Sequence, residues 1–156
     1  MPVKWLSKEK SLKLLASEKY GRLATCGNDR PYITPINFVL LNGKIYFHSG
    51  FQGRKIDNLK SNPKISFEVS RCGKLFAAPH AKNFTFRFWS VLVDGIVRQI
   101  DDADLKLAVL NRFMEKYASG YEYIPLTRND MAGVNIFEIS IKKISGKVSA
   151  DSSLDL

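Results

Sequence analysis

A short loop with two adjacent cations holds the residues of this sequence best suited to bind an anion. An apolar run ends at His48 and Ser49, two glycines follow, and Arg54 and Lys55 open a polar stretch that predicts a helix over residues 54–60. The unpaired N–H groups and positive dipole end of a first helical turn favour an anion. Cations there oppose the dipole by about 0.3–1 kcal/mol each unless an anion compensates them. These residues predict a phosphate site, with both cationic side chains facing solvent.

The overall charge is the next clue to a partner. The chain of 156 residues has 24 Lys and Arg against 15 Asp and Glu, a formal net charge of +9. Such an excess attracts phosphate-bearing molecules, so an RNA- or DNA-binding barrel is one alternative. The sequence has no zinc finger, no RNP-type strand and no basic stripe with interleaved aromatic residues. We therefore expect no nucleic-acid partner.

Composition limits the classes of protein to which the chain can belong. Apolar residues make up 45% of the chain, which is enough for one domain with a core, expected over residues 1–148, before a flexible tail at 149–156. No stretch reaches the roughly 18 apolar residues of a membrane helix, and the first residues do not resemble a signal peptide. Cys26 and Cys72 have no metal-ligand spacing and predict reduced thiols. We expect a cytoplasmic protein with no membrane contact and no metal.

The first half of the chain predicts one helix and a set of strands. Residues 7–20 place leucines on one helical face, and Gly21 follows as a stop. Short β-branched and aromatic runs then predict strands over residues 22–26, 31–41 and 44–48. Because Asn42-Gly43 is a strong signal for a type I′ hairpin turn, these three strands are expected to form an antiparallel meander.

The second half continues the strand pattern around one longer helix. Residues 64–69, 83–100 and 134–144 predict strands, the second of them long and bent at Gly95. Between the last two, residues 103–117 repeat apolar positions every four residues and predict a helix. About six antiparallel strands with helices between them favour a closed or partly closed barrel, so the fold class is mainly β with helices.

Several motifs occur in an order that resembles a known family. They are Gly21-Arg22-Leu23-Ala24-Thr25, Pro31-Tyr32-Ile33-Thr34-Pro35-Ile36-Asn37-Phe38, Gly43-Lys44-Ile45-Tyr46-Phe47-His48-Ser49, Gly53-Arg54-Lys55, Asn62-Pro63, Ser90-Val91, Gly95 and Ile144-Ser145-Gly146-Lys147. This set is similar to the pyridoxamine 5′-phosphate oxidase superfamily of FMN-binding split barrels, and within it to the nitroimidazole-resistance (Nim-like) flavoproteins. The resemblance implies a six-stranded antiparallel split β-barrel.

The resemblance also implies which residues would hold FMN. One group would contact the phosphate, a second would lie along the isoalloxazine ring, and a third would reach the flavin, commonly from the partner subunit. The phosphate group is His48, Ser49, Arg54 and Lys55. The ring group is Thr34, Pro35, Ile36 and Asn37, and the third group is Trp89 and Ser90. Position 89 departs from the family pattern, because tryptophan stands where a polar residue is usual.

The implied function is that of a homodimeric FMN-binding oxidoreductase with its flavins at the subunit interface. It would reduce nitro-aromatic or other small oxidised compounds, and NAD(P)H is a candidate donor that docks transiently. No catalytic side chain is predicted, since the flavin carries the chemistry. The alternative is a flavin, haem or deazaflavin carrier or sensor without turnover. We expect His80 to be a solvated or capping residue in a loop. We expect the 118–131 loop, which includes Tyr121 and Tyr123, to overhang a substrate pocket.

Overall fold

The computed structural model describes residues 3–149 as one curled sheet with three α-helices. Their bounds are β1 Val3–Leu6, α1 Lys8–Ser17, β2 Tyr20–Gly27, β3 Arg30–Asn37, β4 Val39–Leu41, β5 Lys44–Ser49, α2 Arg54–Ser61, β6 Lys64–Phe76, β7 Thr85–Ile100, α3 Ala103–Tyr117 and β8 Asn135–Ser149. Two 3₁₀ turns lie at Ala81–Asn83 and Arg128–Gly133. None of the helices in this part of the chain is long and apolar enough to cross a membrane.

The sheet has eight strands, all paired antiparallel. Their order is β3-β2-β6-β7-β8-β5-β4, and β1 pairs with β8 beside this path. β3 also contacts β5, so the sheet curls until its two edges approach each other around one apolar core. The predicted mainly β, antiparallel split-barrel fold is confirmed. The predicted number of six strands is wrong, because β1 was not foreseen and one predicted strand is divided in two.

The N-terminal helix is shorter than the sequence predicts. It spans Lys8–Ser17 rather than residues 7–20, and Ser7 caps it by accepting a hydrogen bond from the Lys10 amide at 3.2 Å. Gly21 is not its stop but the second residue of β2. A Cβ atom at that position would lie 2.1 Å from the Phe67 ring, so the glycine permits close packing inside the barrel.

The run 31–41 breaks at Phe38, which corrects the predicted meander. The Tyr117 hydroxyl accepts a hydrogen bond from the Phe38 amide at 3.1 Å and lies 2.6 Å from the Phe38 carbonyl oxygen, which Lys116 Nζ also reaches at 3.0 Å. Both backbone groups of Phe38 are thus bound by α3. β3 consequently pairs with β2 at one edge of the sheet, while β4 and β5 form a hairpin at the other.

The turn and helix signals of the sequence are confirmed elsewhere. Asn42 and Gly43 have φ values of 51° and 74°, as a type I′ turn requires. The 103–117 helix has its predicted bounds and is capped by Asp102, which accepts from the Leu105 amide at 2.7 Å. The pairing of β7 with β8 shifts register at Gly95, the predicted bend.

Helix α3 packs on only one half of the outer sheet surface. Val109 and Phe113 contact an apolar cluster formed by β4, β5 and β8, which includes Val39 and Ile136. On the other half, formed by β3, β2, β6 and β7, side chains such as Ile33 and Leu92 are exposed. We call this second half the uncovered face. At the C-terminus, Ser149 still belongs to β8, and residues 150–156 of the predicted tail lie outside the described residues.

Candidate functional site

Helix α2 begins without a side-chain cap. Gly53, the residue before it, has a φ of 112°, and its carbonyl accepts from the amides of Ile56 and Asp57 at 2.8 and 3.1 Å. Within residues 3–149 no partner is recorded for the amides of Arg54 and Lys55. The first turn therefore presents unpaired donors at the positive end of the helix dipole.

The two cations at this helix start lie on different sides of it. The exposed Arg54 guanidinium lies 4.7 Å from the centroid of the Tyr32 ring on β3. Lys55 is half-buried, its Nζ lies 5.6 Å from the Phe47 ring centroid, and burial lowers its pKa. The expectation that both face solvent is therefore wrong for Lys55. Neither side chain has an ion pair within the described chain, and Asp57 is the one acidic residue in the same helical turn, so the helix start keeps a net positive charge.

The end of β5 separates the predicted pair His48 and Ser49. Side chains alternate along a strand, so Ser49 lies on the same face as Phe47, which is the side that Lys55 approaches. His48 lies on the opposite face, exposed, with its ring centroid 5.2 Å from that of Phe113 on α3 in an edge-to-face contact. The structure thus groups Ser49 with Lys55 and turns His48 toward α3.

The predicted ring strand, β3, forms one end of the sheet. Within residues 3–149 its outer edge has no neighbouring strand, so alternate backbone C=O groups, and N–H groups except at the two prolines, are unpaired there. Thr34 and the buried Ile36 share the face of Tyr32, while Pro35 and Asn37 are exposed on the other. The buried Thr34 Oγ1 has no hydrogen-bond partner in the part of the chain that the structure describes. This edge offers polar groups to a ligand lying along it.

Two residues at the site were not found by sequence reasoning. Asn135 pairs with Ser49 in the β5–β8 register and is buried. Its Nδ2 donates to the Gly50 carbonyl at 3.1 Å, whereas its Oδ1 has no partner among residues 3–149. Tyr32 supports Arg54 through the ring contact described above. The alternation of Tyr32 with Thr34 was available as a signal, but nothing local in the sequence links Asn135 to a loop 85 residues away.

The predicted third group, on β7, is separated from the others within one chain. Trp89 is buried in the main core, and Ser90 lies on the opposite side of the strand with its Oγ buried and unpartnered. Strands β2 and β6 lie between β7 and β3 in the sheet. The role of both residues in flavin contact stays a prediction.

A cleft of about 340 Å³ opens between α3 and the ends of β3 and β5. It takes in His48 and Asn37 from the predicted groups and Leu126 from the 118–131 loop. Tyr121 and Tyr123, which the sequence placed over a pocket, are exposed.

His80, also exposed, precedes a 3₁₀ turn and makes no side-chain capping bond. Its predicted capping role is therefore not realised, and its exposure agrees with the predicted solvated one.

A second charged cluster on the outer sheet surface is internally paired. The buried Glu138 carboxylate accepts from Arg98 Nε at 2.8 Å, Lys44 Nζ at 2.8 Å and the Tyr46 hydroxyl at 2.8 Å. The Arg98 hydrogen bond is the largest cause that lowers the pKa of Glu138 to about 2. Burial, followed by Glu138 itself, raises the pKa of Tyr46 to about 12.

Sequence comparison relates most of the chain to one family. The family profile described as pyridoxamine 5′-phosphate oxidase matches residues 7–148. An uncharacterised protein of Rhizobium meliloti (strain 1021) is 37% identical over 70 residues, which is 45% of this chain and 46% of that protein. The matched segment therefore spans less than half of that relative.

Solved structures share the fold over nearly the whole chain. A candidate 5-nitroimidazole antibiotic resistance protein from Bacteroides thetaiotaomicron VPI-5482 is 22% identical, with a TM-score of 0.78 over 95% of this chain and 89% of its own. A FAD-binding protein from Mesorhizobium loti is 26% identical, with a TM-score of 0.71 over 96% and 100% of the two chains. A FAD- and haem-binding protein from Mycobacterium smegmatis is 20% identical, with a TM-score of 0.79 over 96% and 74%.

Proposed function

Because this chain belongs to the pyridoxamine 5′-phosphate oxidase family, we propose that it is an FMN-binding oxidoreductase that reduces nitro-aromatic or other small oxidised compounds. The observation that carries the proposal is the pair of uncompensated cations at an uncapped helix start. Arg54 and Lys55 make no ion pair within residues 3–149, the one carboxylate in their helical turn, Asp57, leaves a net positive charge there, and the amides of Arg54 and Lys55 have no partner among these residues. A phosphomonoester dianion supplies negative charge for the two cations and acceptor oxygens for the two amides.

The residues present fit a flavin in two further respects. Ser49 can donate to the phosphate from the face that Lys55 approaches, and the free edge of β3 can hydrogen-bond a flat heterocycle as it would another strand. The orphaned Thr34 hydroxyl lies on β3, where a bound group can accept its hydrogen bond. When bound, the flavin supplies hydride or electron transfer.

A homodimer is part of the proposal. The uncovered face carries the exposed apolar side chains Ile33 and Leu92, and a second copy of the chain is the partner proposed to cover it. NAD(P)H is the proposed donor. The free cysteines Cys26 and Cys72 support a reducing, cytoplasmic location.

The test is a comparison of ligands that differ at the phosphate. Fluorescence titration of flavin-free protein should give an affinity for FMN at least about 100-fold above that for riboflavin, since several charge-assisted hydrogen bonds of about 1.5–3 kcal/mol are at stake. Equal affinities would contradict the phosphate assignment. FAD is titrated in parallel, because two similar structures are of FAD-binding proteins.

Turnover decides between enzyme and carrier. The flavin-loaded protein is reduced without oxygen and mixed with nitrobenzene, and reoxidation of the flavin is followed by absorbance. Substrate-dependent reoxidation supports the oxidoreductase. Stable binding of flavin without reoxidation by nitrobenzene or other small oxidants favours a carrier or sensor.

A further inference from the structure

We infer that the cleft between α3 and the ends of β3 and β5 binds a neutral aromatic molecule, and that Met114 on α3 determines the size of molecule it takes. The inference rests on the proposed function for the chemistry done there, because it assigns the substrate class of that same site. The binding of the molecule is a separate property that can be measured without flavin.

The lining of the cleft selects against charge. Its walls are the apolar side chains of Leu110, Phe113 and Met114 on α3 and of Leu126 on the loop that follows. No Lys, Arg, Asp or Glu side chain lines it within the described chain. A volume of about 340 Å³ is that of a small ligand pocket, and walls of this kind favour a flat apolar molecule.

The polar side chains in the cleft differ in how far they are already engaged. The Tyr117 hydroxyl is engaged with the Phe38 backbone and the Lys19 carbonyl, and Asn37 Nδ2 donates to the same Lys19 carbonyl at 3.1 Å. The His48 imidazole has no hydrogen bond within residues 3–149, and its ring stands edge-to-face against Phe113. His48 is therefore placed to donate to one acceptor, such as a nitro oxygen, on a ring held by the apolar walls.

The cleft adjoins the residues proposed to hold the flavin. His48 directly precedes Ser49, and its side chain emerges on the opposite face of β5. Asn37 ends β3, the strand proposed to lie along the flavin ring. The cleft and the phosphate site thus meet along the ends of the same two strands, with the phosphate on one side and α3 on the other. A molecule in the cleft lies beside the flavin-binding strand without competing for Arg54 or Lys55.

The first experiment uses two probes of nearly the same shape but different charge. Nitrobenzene and benzoate are titrated into flavin-free and FMN-loaded protein at pH 8, with binding followed by ligand-observed NMR saturation transfer. Nitrobenzene should bind at least about tenfold more tightly than benzoate. The net charge of +9 and the proposed anion site would both favour benzoate, so inorganic phosphate in excess is added to occupy that site, and tighter binding of benzoate in its presence would overturn the inference.

Variants on α3 locate the binding. The Met114→Trp variant should fill the cleft and weaken nitrobenzene binding by at least about tenfold, with FMN affinity within about twofold of the unchanged protein. Asn111→Trp adds the same side chain at an exposed position of the same helix and should change neither affinity. Unchanged nitrobenzene affinity in Met114→Trp would overturn the inference.

A second variant keeps the test decisive if Met114→Trp does not fold. Met114→Ala enlarges the cleft and should shift the preference toward 1-nitronaphthalene over nitrobenzene by about fivefold or more. No shift would contradict the role of Met114. Failure of the wild-type chain to bind FMN would refute the proposed function, but nitrobenzene binding to flavin-free protein would still test the cleft. Failure of the proposed function and failure of this inference are therefore distinguishable.

Discussion

The start of α2 and the cluster around Glu138 are two groups of cations on one barrel, and they differ in how their charge is balanced. Arg98 and Lys44 share the buried Glu138 carboxylate, with the Tyr46 hydroxyl as a further donor. Arg54 and Lys55 make no ion pair within the described residues, although Asp57 lies in the same helical turn. Charge that is neutralised inside the chain stabilises the fold, whereas charge left without a partner beside unpaired amides indicates a ligand from outside.

The largest effect is expected from neutralising the unpaired cations. Arg54→Ala combined with Lys55→Ala should weaken FMN binding by about 100-fold or more, since each lost charge-assisted hydrogen bond is worth about 1.5–3 kcal/mol. The thermal midpoint of the flavin-free protein should change little. Fluorescence titration and calorimetry measure the two quantities.

The matched control removes two positive charges elsewhere. Lys8→Ala with Lys10→Ala acts on exposed positions of α1 and should leave FMN affinity within about twofold. If this control weakens FMN binding as much as the double variant on α2, the attraction comes from net charge and the assigned phosphate site is wrong.

The paired cluster should respond in the opposite way. Glu138→Ala should lower the free energy of unfolding by about 2–3 kcal/mol, because a buried ion pair loses its carboxylate and Tyr46 loses its acceptor. FMN affinity should stay within about twofold. Urea denaturation gives the stability, and Glu115→Ala, which breaks the exposed pair with Arg112, should cost less than about 0.5 kcal/mol. Equal costs for the two variants would show that burial does not distinguish the pairs.

Acid should weaken the same cluster over a defined range. The pKa of Glu138 is lowered in the folded chain from 4.5 to about 2, so its contribution is present above pH 4.5 and is lost as the pH falls toward 2. At about 1.4 kcal/mol per pH unit, the loss amounts to about 3 kcal/mol. The wild-type chain should therefore lose more stability over this range than Glu138→Gln, as measured by urea denaturation at each pH. Parallel curves for the two proteins would refute the assignment.

The smallest effect is expected from Lys55, whose charge at the ligand site should lower the stability of the flavin-free protein. Burial lowers the pKa of Lys55, so folding disfavours its protonated form and stability improves as the pH rises through that pKa. Lys55→Met should therefore raise the thermal midpoint of the flavin-free protein at pH 7 by about 1–2 °C, a gain that shrinks in alkaline solution. The exposed Lys60→Met on the same helix is the control and should show no gain. A lower midpoint for Lys55→Met would contradict the expectation.

The sequence predicted correctly those helices and turns whose signals lie within a few neighbouring residues. The Asn42-Gly43 turn, the capping of α3 by Asp102 and the bounds of that helix follow from residues within a few positions of one another. The break at Phe38 could not be foreseen, because its backbone partner Tyr117 is 79 residues away. β1 was missed for a similar reason, since its short, mostly exposed strand is defined only by pairing with β8.

The candidate site shows the same division. The cations after β5 and the polar strand before it were visible as a loop motif, and the structure places Ser49 and Lys55 on one side. The opposite orientation of His48 follows from strand alternation, but its neighbour Phe113 comes from a distant helix. The partial burial of Lys55 and the position of Asn135 depend on how α2 and β8 pack, which no short stretch of sequence specifies.

The phenol of Tyr117 joins three parts of the chain at one point. Its oxygen reaches the Phe38 backbone between β3 and β4 and the Lys19 carbonyl before β2, while its ring lines the cleft. α3 is thereby anchored to the strand crossover rather than resting loosely on the sheet. A guest molecule that displaces this helix must also strain the contacts that hold the end of β3, so the cleft and the β3 strand are mechanically linked through Tyr117, with Lys116 as a second contact to Phe38.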